Sequence, residues 1–383
     1  MQPSKRSAVS PFIAMDVMAA ANALERAGTP VVHMEVGEPG APIPAKVREA
    51  AEAALRRGRI GYTEALGLRE LRERIARHYA DRYGVRVPAE RVAVTSGSSG
   101  GFNLAFLALF DVGDRVGLPT PGYPAYRNIL QALGLTVVEI PTTAENRWQV
   151  TPAMLEAVHA EGPLKGLIVA SPANPSGTMM ERQGIADLMG ACRLMGISLI
   201  MDEIYHGLVY EGQETTALEF GDDVVVINSF SKYYCMTGWR IGWMVLPEAL
   251  VRPIERIAQN LFISPSEISQ RAALGAFEAV EELEAVKAGY AANRALLLDR
   301  LPAIGFDQYL PVDGAFYVYA SVRRFSNDSL DFARRMLNEA GVAATPGPDF
   351  DTERGHAYIR FSFAGTHEAM QAACDRLEGW LKR

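Results

Sequence analysis

Short apolar runs recur along this sequence, each closed by small or polar residues and separated from the next by a stretch with helical periodicity. The runs are Arg91 to Thr95, Asp114 to Leu118, Gly166 to Ala170, Ser198 to Met201, Val224 to Asn228 and Ile241 to Leu246. Most are apolar throughout rather than alternating, which is the pattern of strands covered on both faces. Apolar residues at a period near 3.6 place helices over 11–27, 44–57, 68–83, 124–133, 181–195 and 366–382. Gly28, Gly58 and Gly84 stand just past three of these, and Pro44 and Pro124 near two starts, where a missing N–H costs nothing. Buried strands alternating with helices predict an α/β fold whose large domain has a mostly parallel sheet flanked by helices, with ligands at the strands' carboxyl ends.

The pattern changes near residue 286. A helical stretch through 291–301, the run FYVYA, a helix around 328–340 and the strand-like AYIRFSF predict a smaller α+β domain. The expected organisation is an N-terminal segment 1–40 joining the small domain, a large domain 41–285 and a small C-terminal domain 286–383. Neither a Ser/Gly linker nor an internal repeat separates them, so an extensive interface is expected.

Composition narrows the functions. A chain of 383 residues with 49% hydrophobic residues has ample core for two or three domains. Lys and Arg number 38 against 45 Asp and Glu, a net charge of -7, and no dense basic stripe marks a nucleic-acid surface. No apolar run reaches the roughly 18 residues of a membrane span, and the opening MQPSKRSAVSPFIAM has no apolar core of a signal peptide. Cys192, Cys235 and Cys374 form no CxxC, and the six histidines include no HExxH. The expectation is a cytoplasmic, metal-free protein acting on small molecules.

Five strand ends carry polar or aromatic groups. Thr95-Ser96-Gly97-Ser98-Ser99-Gly100-Gly101 leaves a strand and opens a helix, so backbone N–H groups can approach an anion there, although such a turn also serves as a plain cap. Ser229-Phe230-Ser231-Lys232 leaves another, with Gly238-Trp239-Arg240 close behind. Hydroxyls plus a guanidinium suit a phosphate monoester, and a lysine flanked by apolar strands can lose its charge and act as nucleophile or base. The alternative is a surface lysine and an interface arginine. Asp202, at the end of Ser198 to Met201, needs a cation or N–H partner if buried, or else caps a following helix. Asn174 precedes Pro175 and is biased away from helix, and Tyr123 offers a ring to a flat ligand or simply fills a turn.

Taken together, VGEPG (36–40), GYT (61–63), TSGSSGG (95–101), PGYPAY (121–126), SPANPSGT (171–178), MDEIY (201–205), SFSK (229–232), GWRIGW (238–243) and YIRFSF (358–363) span nearly the whole chain in order. In these motifs the sequence resembles the class I/II aminotransferases of the aspartate aminotransferase fold, fold type I, which depend on pyridoxal 5'-phosphate. The resemblance implies that Lys232 forms the Schiff base with the cofactor and shuttles the substrate proton, while Asp202 pairs with the pyridine nitrogen. Asn174 and Tyr205 would hydrogen-bond the phenolic oxygen, and Tyr123 would stack on the ring. Ser98, Ser99, Ser229, Ser231 and Arg240 would hold the phosphate. Tyr62 would reach the phosphate of a neighbouring subunit, which implies a homodimer with shared active sites. Arg360 would clamp the substrate α-carboxylate, helped by the Gly37 N–H, with Asn174 also beside the substrate.

The implied activity moves an amino group between an L-amino acid and a 2-oxo acid by ping-pong kinetics. The same cofactor grip also runs β-elimination and carbon–sulfur cleavage, which is the competing reading. A transcription regulator would need a DNA-binding module that the first 40 or so residues are too short to hold. Ser99 stands where some acid-specific members carry a lysine, so recognition of a distal carboxylate is not expected there. Phe12, Ile13 and Phe350 are candidates for the wall of a side-chain pocket.

Overall fold

The computed structural model describes residues 1–382. Its strands are β1 Val32–His33, β2 Val92–Thr95, β3 Arg115–Thr120, β4 Thr136–Pro141, β5 Gly166–Ala170, β6 Ser198–Asp202, β7 Val224–Ser229, β8 Gly242–Val245, β9 Tyr317–Ser321, β10 Val342–Ala343, β11 Thr345–Pro346 and β12 Tyr358–Ser362. Its helices are α1 Ile13–Arg26, α2 Ala45–Arg56, α3 Arg69–Tyr83, α4 Gly97–Leu109, α5 Pro124–Ala132, α6 Pro152–Glu161, α7 Arg182–Met195, α8 Glu248–Leu261, α9 Glu267–Ala276, α10 Val280–Ile304, α11 Ser329–Arg335 and α12 His367–Leu381. The six helices read from periodicity are present, each within about two residues of its expected bounds.

Seven strands form the large sheet in the order β2-β8-β7-β6-β5-β3-β4. All pair in parallel except β8, which runs antiparallel between β2 and β7. Because β3 leads outward to β4 while β5 begins the run toward β8, the chain changes direction across the sheet between β3 and β5. That switch opens a crevice above the carboxyl ends. The register sets Asp202 beside Ala170 and Ile227, and Gly242 between Thr95 and Ser229. The two turns rich in small and hydroxyl residues therefore meet around the start of β8. A Cβ on Gly242 would lie 2.9 Å from the Ser98 nitrogen, so only glycine lets the β2 turn pack this closely.

The smaller unit carries an antiparallel sheet in the order β11-β12-β9. Strand β1 pairs in parallel with β10, which ties the N-terminal segment to this unit. The position near 286 falls inside α10, one uninterrupted helix. A single apolar cluster runs from Val94 and Leu167 of the large sheet through Phe316 to Phe361 of the small one. Both sheets are thus anchored in one core, and the crevice lies between them.

Candidate active site

The carboxyl ends of β5 and β6, the turn after β7 and the faces of β9 and β12 enclose a cavity of about 490 Å3. It brings together Gly37, Ser98, Ser99, Tyr123, Asn174, Asp202, Tyr205, Ser231, Lys232, Arg240 and Arg360. Two expected residues lie elsewhere. Ser229 is buried one layer behind, its hydroxyl donated to Ser231 Oγ at 2.9 Å and to the Ile241 carbonyl at 3.3 Å. Tyr62 is 82% exposed on the outer surface beside Ser264 and Glu267, outside this cavity.

Lys232 donates to the Gly37 carbonyl at 2.5 Å. Burial, with repulsion from Arg360 and Arg240, lowers its ammonium to about 8, against the pull of Glu38 and Asp202. At pH 7 a group of that pKa is neutral about a tenth of the time, whereas an ordinary lysine is neutral in about one molecule per few thousand. Asp202 is 2% exposed, and burial pushes it up to about 6. Opposing that shift, Tyr126 donates to its Oδ2 and the Ile204 N–H to its Oδ1 at 3.0 Å, with Lys232 and His206 adding positive charge. No helix follows β6 directly, so Asp202 closes a turn rather than capping a helix.

Arg360 is 2% exposed and comes from the middle of the small sheet, where Thr345 and Tyr319 flank it in register. Its Nη1 donates to Asn174 Oδ1 at 2.9 Å, and its Nη2 donates to the Glu35 carbonyl. The guanidinium lies 4.4 Å from the Tyr317 ring centroid and 4.8 Å from that of Phe350. Its Nε has no partner although buried. Tyr205 shares a 2.6 Å hydroxyl pair with Tyr317. That hydroxyl sits so near Gly37 that a Cβ there would be 1.8 Å away, which requires glycine.

The side of the cavity at the start of α4 is equally specific. Gly97 has φ +70, and a Cβ on it would meet Arg240 Nη2 at 2.5 Å. The guanidinium therefore lies directly over the first turn of α4, held from behind by the Thr237 carbonyl at 2.9 Å. Tyr123 forms the adjoining wall, edge-on to Tyr126 at 5.2 Å and to Phe12 at 5.8 Å, and burial pushes its phenol up to about 12.

The pocket-wall expectation needs correction. Phe12 lines the cavity, but Ile13 and Phe350 do not. The Ile13 N–H is taken by Asp349 Oδ1 at 3.1 Å, and from α1 it is Met15 and Met18 that line the cavity. Phe350 is 1% exposed and packs beneath Arg360 and Tyr319. Tyr126 and Tyr317 were not singled out from sequence. Tyr126 lies within PGYPAY, three residues past Tyr123 and so on the same side of α5.

The residues match a phosphorylated pyridine aldehyde on three counts: a cradle at Gly97 that a Cβ would fill, a buried carboxylate facing the cavity and a lysine held partly uncharged. The family described as aminotransferase class I and II matches residues 29–377. The chain belongs to that family. It is 48% identical over 380 residues to the valine–pyruvate aminotransferase of Mycobacterium tuberculosis, covering 98% of this chain and 97% of that one. The crystal structure of an aminotransferase from Mycobacterium tuberculosis superposes with a TM-score of 0.98 at 48% identity, covering 100% and 99% of the two chains. The aspartate aminotransferase of Thermus thermophilus with maleate gives 0.93 at 32% identity, covering 99% of each. The protein is thus an aminotransferase of the aspartate aminotransferase fold, and its cofactor is pyridoxal 5'-phosphate. These relatives support amino transfer over the carbon–sulfur lyase alternative.

Proposed function

We propose that this aminotransferase exchanges the amino group of an apolar L-amino acid with a 2-oxo acid, on a cavity organised by Lys232, Asp202 and Arg360. The observation that carries this reading is the enclosure of those three groups in one cavity, on the turn after β7, the end of β6 and the middle of β12 respectively. The cofactor, when bound, supplies an aldehyde that captures the amine and an electron-withdrawing ring that disperses charge at the substrate Cα. Arg240, Ser98, Ser99 and Ser231, backed by Ser229, would hold its phosphate, and Tyr123 would cover its ring. Asp202 would accept a hydrogen bond from the ring nitrogen, while Asn174 and Tyr205 would donate to the phenolic oxygen.

Lys232 would bond the cofactor aldehyde and, once the substrate amine displaces it, would serve as the base that takes the proton from the substrate Cα and delivers it to the former aldehyde carbon; its lowered pKa would supply the neutral amine for both tasks. Arg360 orients the substrate by receiving its α-carboxylate on the planar fork, beside Gly37 and Asn174. Phe12, Met15, Met18 and Ile129 form an apolar wall and favour an uncharged side chain. The naming of a relative for valine and pyruvate favours the same class.

A homodimer with shared sites accords with this reading, because Tyr62 would then reach a neighbouring subunit's phosphate. Tyr62 extends from a surface that also exposes Ile60, Leu261, Phe262 and Ile263, an apolar patch suited to a second copy. Cytoplasmic residence accords with three free, buried cysteines, and among the described residues no helix is long and apolar enough to cross a membrane.

Steady-state kinetics test the proposal. Valine with pyruvate should give the parallel lines of a ping-pong mechanism, and valine should exceed aspartate in kcat/KM by at least about tenfold. Steady turnover of a cysteine conjugate without any 2-oxo acid, with no transfer from valine, would overturn it.

A further inference from the structure

Asp202 is the acid whose charge the proposed chemistry needs, yet it is among the most deeply buried carboxylates of the site. A carboxyl in such a place tends to take up a proton unless donors hold its anionic form. The groups facing it are Tyr126 from α5, Tyr123 just before that helix, Tyr205 and His206 from the segment after β6, and Lys232 after β7. Of these, Tyr126 makes the direct side-chain hydrogen bond, its hydroxyl donating to Oδ2. The Ile204 N–H holds Oδ1 at 3.0 Å. One donor on each oxygen fixes the plane of the carboxylate and leaves its remaining lone pairs for the cavity.

The Tyr126 ring is itself locked. It is 5% exposed, packed 4.8 Å from Phe102 and 5.2 Å from Tyr123 between ring centroids. Burial and the adjacent carboxylate hold its phenol well above the ordinary tyrosine range, so the hydroxyl remains a donor at every working pH.

We propose that Tyr126 is a positioning residue for the amino-transfer reaction, which orients Asp202 and keeps it ionised as the acceptor for the cofactor's ring nitrogen. The proposal rests on the assignment of Asp202 as that acceptor. A carboxylate that already accepts two hydrogen bonds is a weaker base, so a proton shared with the ring nitrogen stays on nitrogen. Without the phenol, Asp202 would be the stronger base and would hold a ring-nitrogen proton less firmly on nitrogen.

Tyr126→Phe keeps the ring packing and removes the donor. In the cofactor-free full chain, the carbon-13 carboxyl signal of Asp202, assigned by its loss in Asp202→Asn, should titrate at higher pH in Tyr126→Phe than in the parent. Pyridoxal 5'-phosphate affinity, measured by equilibrium dialysis, should fall by about fivefold to tenfold, the difference between a neutral and a charge-assisted hydrogen bond from Asp202 to the ring nitrogen. Asp202→Ala should weaken affinity at least as much, and adding Tyr126→Phe to it should change affinity by less than about twofold.

Equal losses from Tyr126→Phe in the presence and absence of Asp202 overturn the proposal, because the phenol then acts by another route. An unmoved Asp202 titration overturns it as well. Undiminished affinity in Asp202→Ala instead overturns the assignment of Asp202 itself. Thermal unfolding of each variant identifies a general folding defect separately, as a lowered Tm in both backgrounds.

Discussion

Gly97 offers a sharp separation of cofactor grip from fold. Replacing it with alanine places a Cβ at φ +70, which costs about 1–2 kcal/mol for an L-residue. Reduced freedom of the unfolded chain returns about 0.4–1 kcal/mol of this. The same Cβ would stand 2.5 Å from Arg240 Nη2 and 3.1 Å from its Cζ. A flexible, exposed arginine end can swing away, so the fold tolerates the clash and Tm should drop by no more than a few degrees. Swinging away, however, removes the guanidinium from the phosphate site. The lost charged hydrogen bonding is worth about 1.5–3 kcal/mol, a loss of cofactor affinity of about tenfold to a hundredfold. Gly100→Ala is the matched control in the same helix. Its added Cβ meets nothing nearer than Ser96 Cβ at 3.5 Å, and helix propensity favours alanine. Equilibrium dialysis of pyridoxal 5'-phosphate beside thermal unfolding reads both quantities. If Gly97→Ala binds cofactor as tightly as the parent chain, Arg240 does not grip the phosphate from above Gly97, and the reasoning is wrong.

Three further outcomes are expected. Arg360→Lys keeps a charge but loses the planar fork and its contact with Asn174, so KM should rise by about tenfold or more for every amino acid alike; a rise confined to one side-chain class would contradict the clamp. Since the free Lys232 amine titrates near 8, capture of the cofactor aldehyde by the cofactor-free chain should quicken as pH rises through about 8 and then level off, and stopped-flow absorbance that keeps climbing toward 10.5 would contradict the lowered value. His78, half-buried among Tyr79, Tyr83 and Phe277, is lowered to about 3 by that desolvation and by repulsion from Arg82 and Arg74. The unfolded chain protonates it near 6.5, so stability should fall as pH drops from about 6.5 toward 3, and His78→Phe should flatten that slope in urea titrations.

The strand ends were readable because buried runs such as Val224 to Asn228 leave no other place for hydroxyls, carboxylates and lysines than the turns that follow. Helix bounds were readable where an apolar stripe met a stop, as at Gly84 after α3. Other features had no local signal. The antiparallel direction of β8 is a property of its neighbours, since GWMV reads the same either way. Strands β1, β10 and β11 are two residues long and are specified by pairing rather than by pattern. The start of α10 was blurred by Ala285, Ala288, Ala291, Ala292 and Ala295, which suit a buried face and an exposed one equally. In the site, Tyr317 reaches Tyr205 across the two sheets, and Phe350 passes beneath Arg360 instead of facing the cavity. Contacts of that kind depend on how two units pack, which no spacing in the sequence encodes.

The central claim is that Lys232 is the residue that bonds the cofactor. Its place after β7, its lowered pKa and its position in the cavity with Asp202 and Arg360 all converge on that one nitrogen. Borohydride reduction of the holoenzyme followed by peptide mapping measures it directly. The account predicts one pyridoxyl group, on the peptide containing Lys232, and no label in Lys232→Ala. A pyridoxyl group on any other lysine would contradict it.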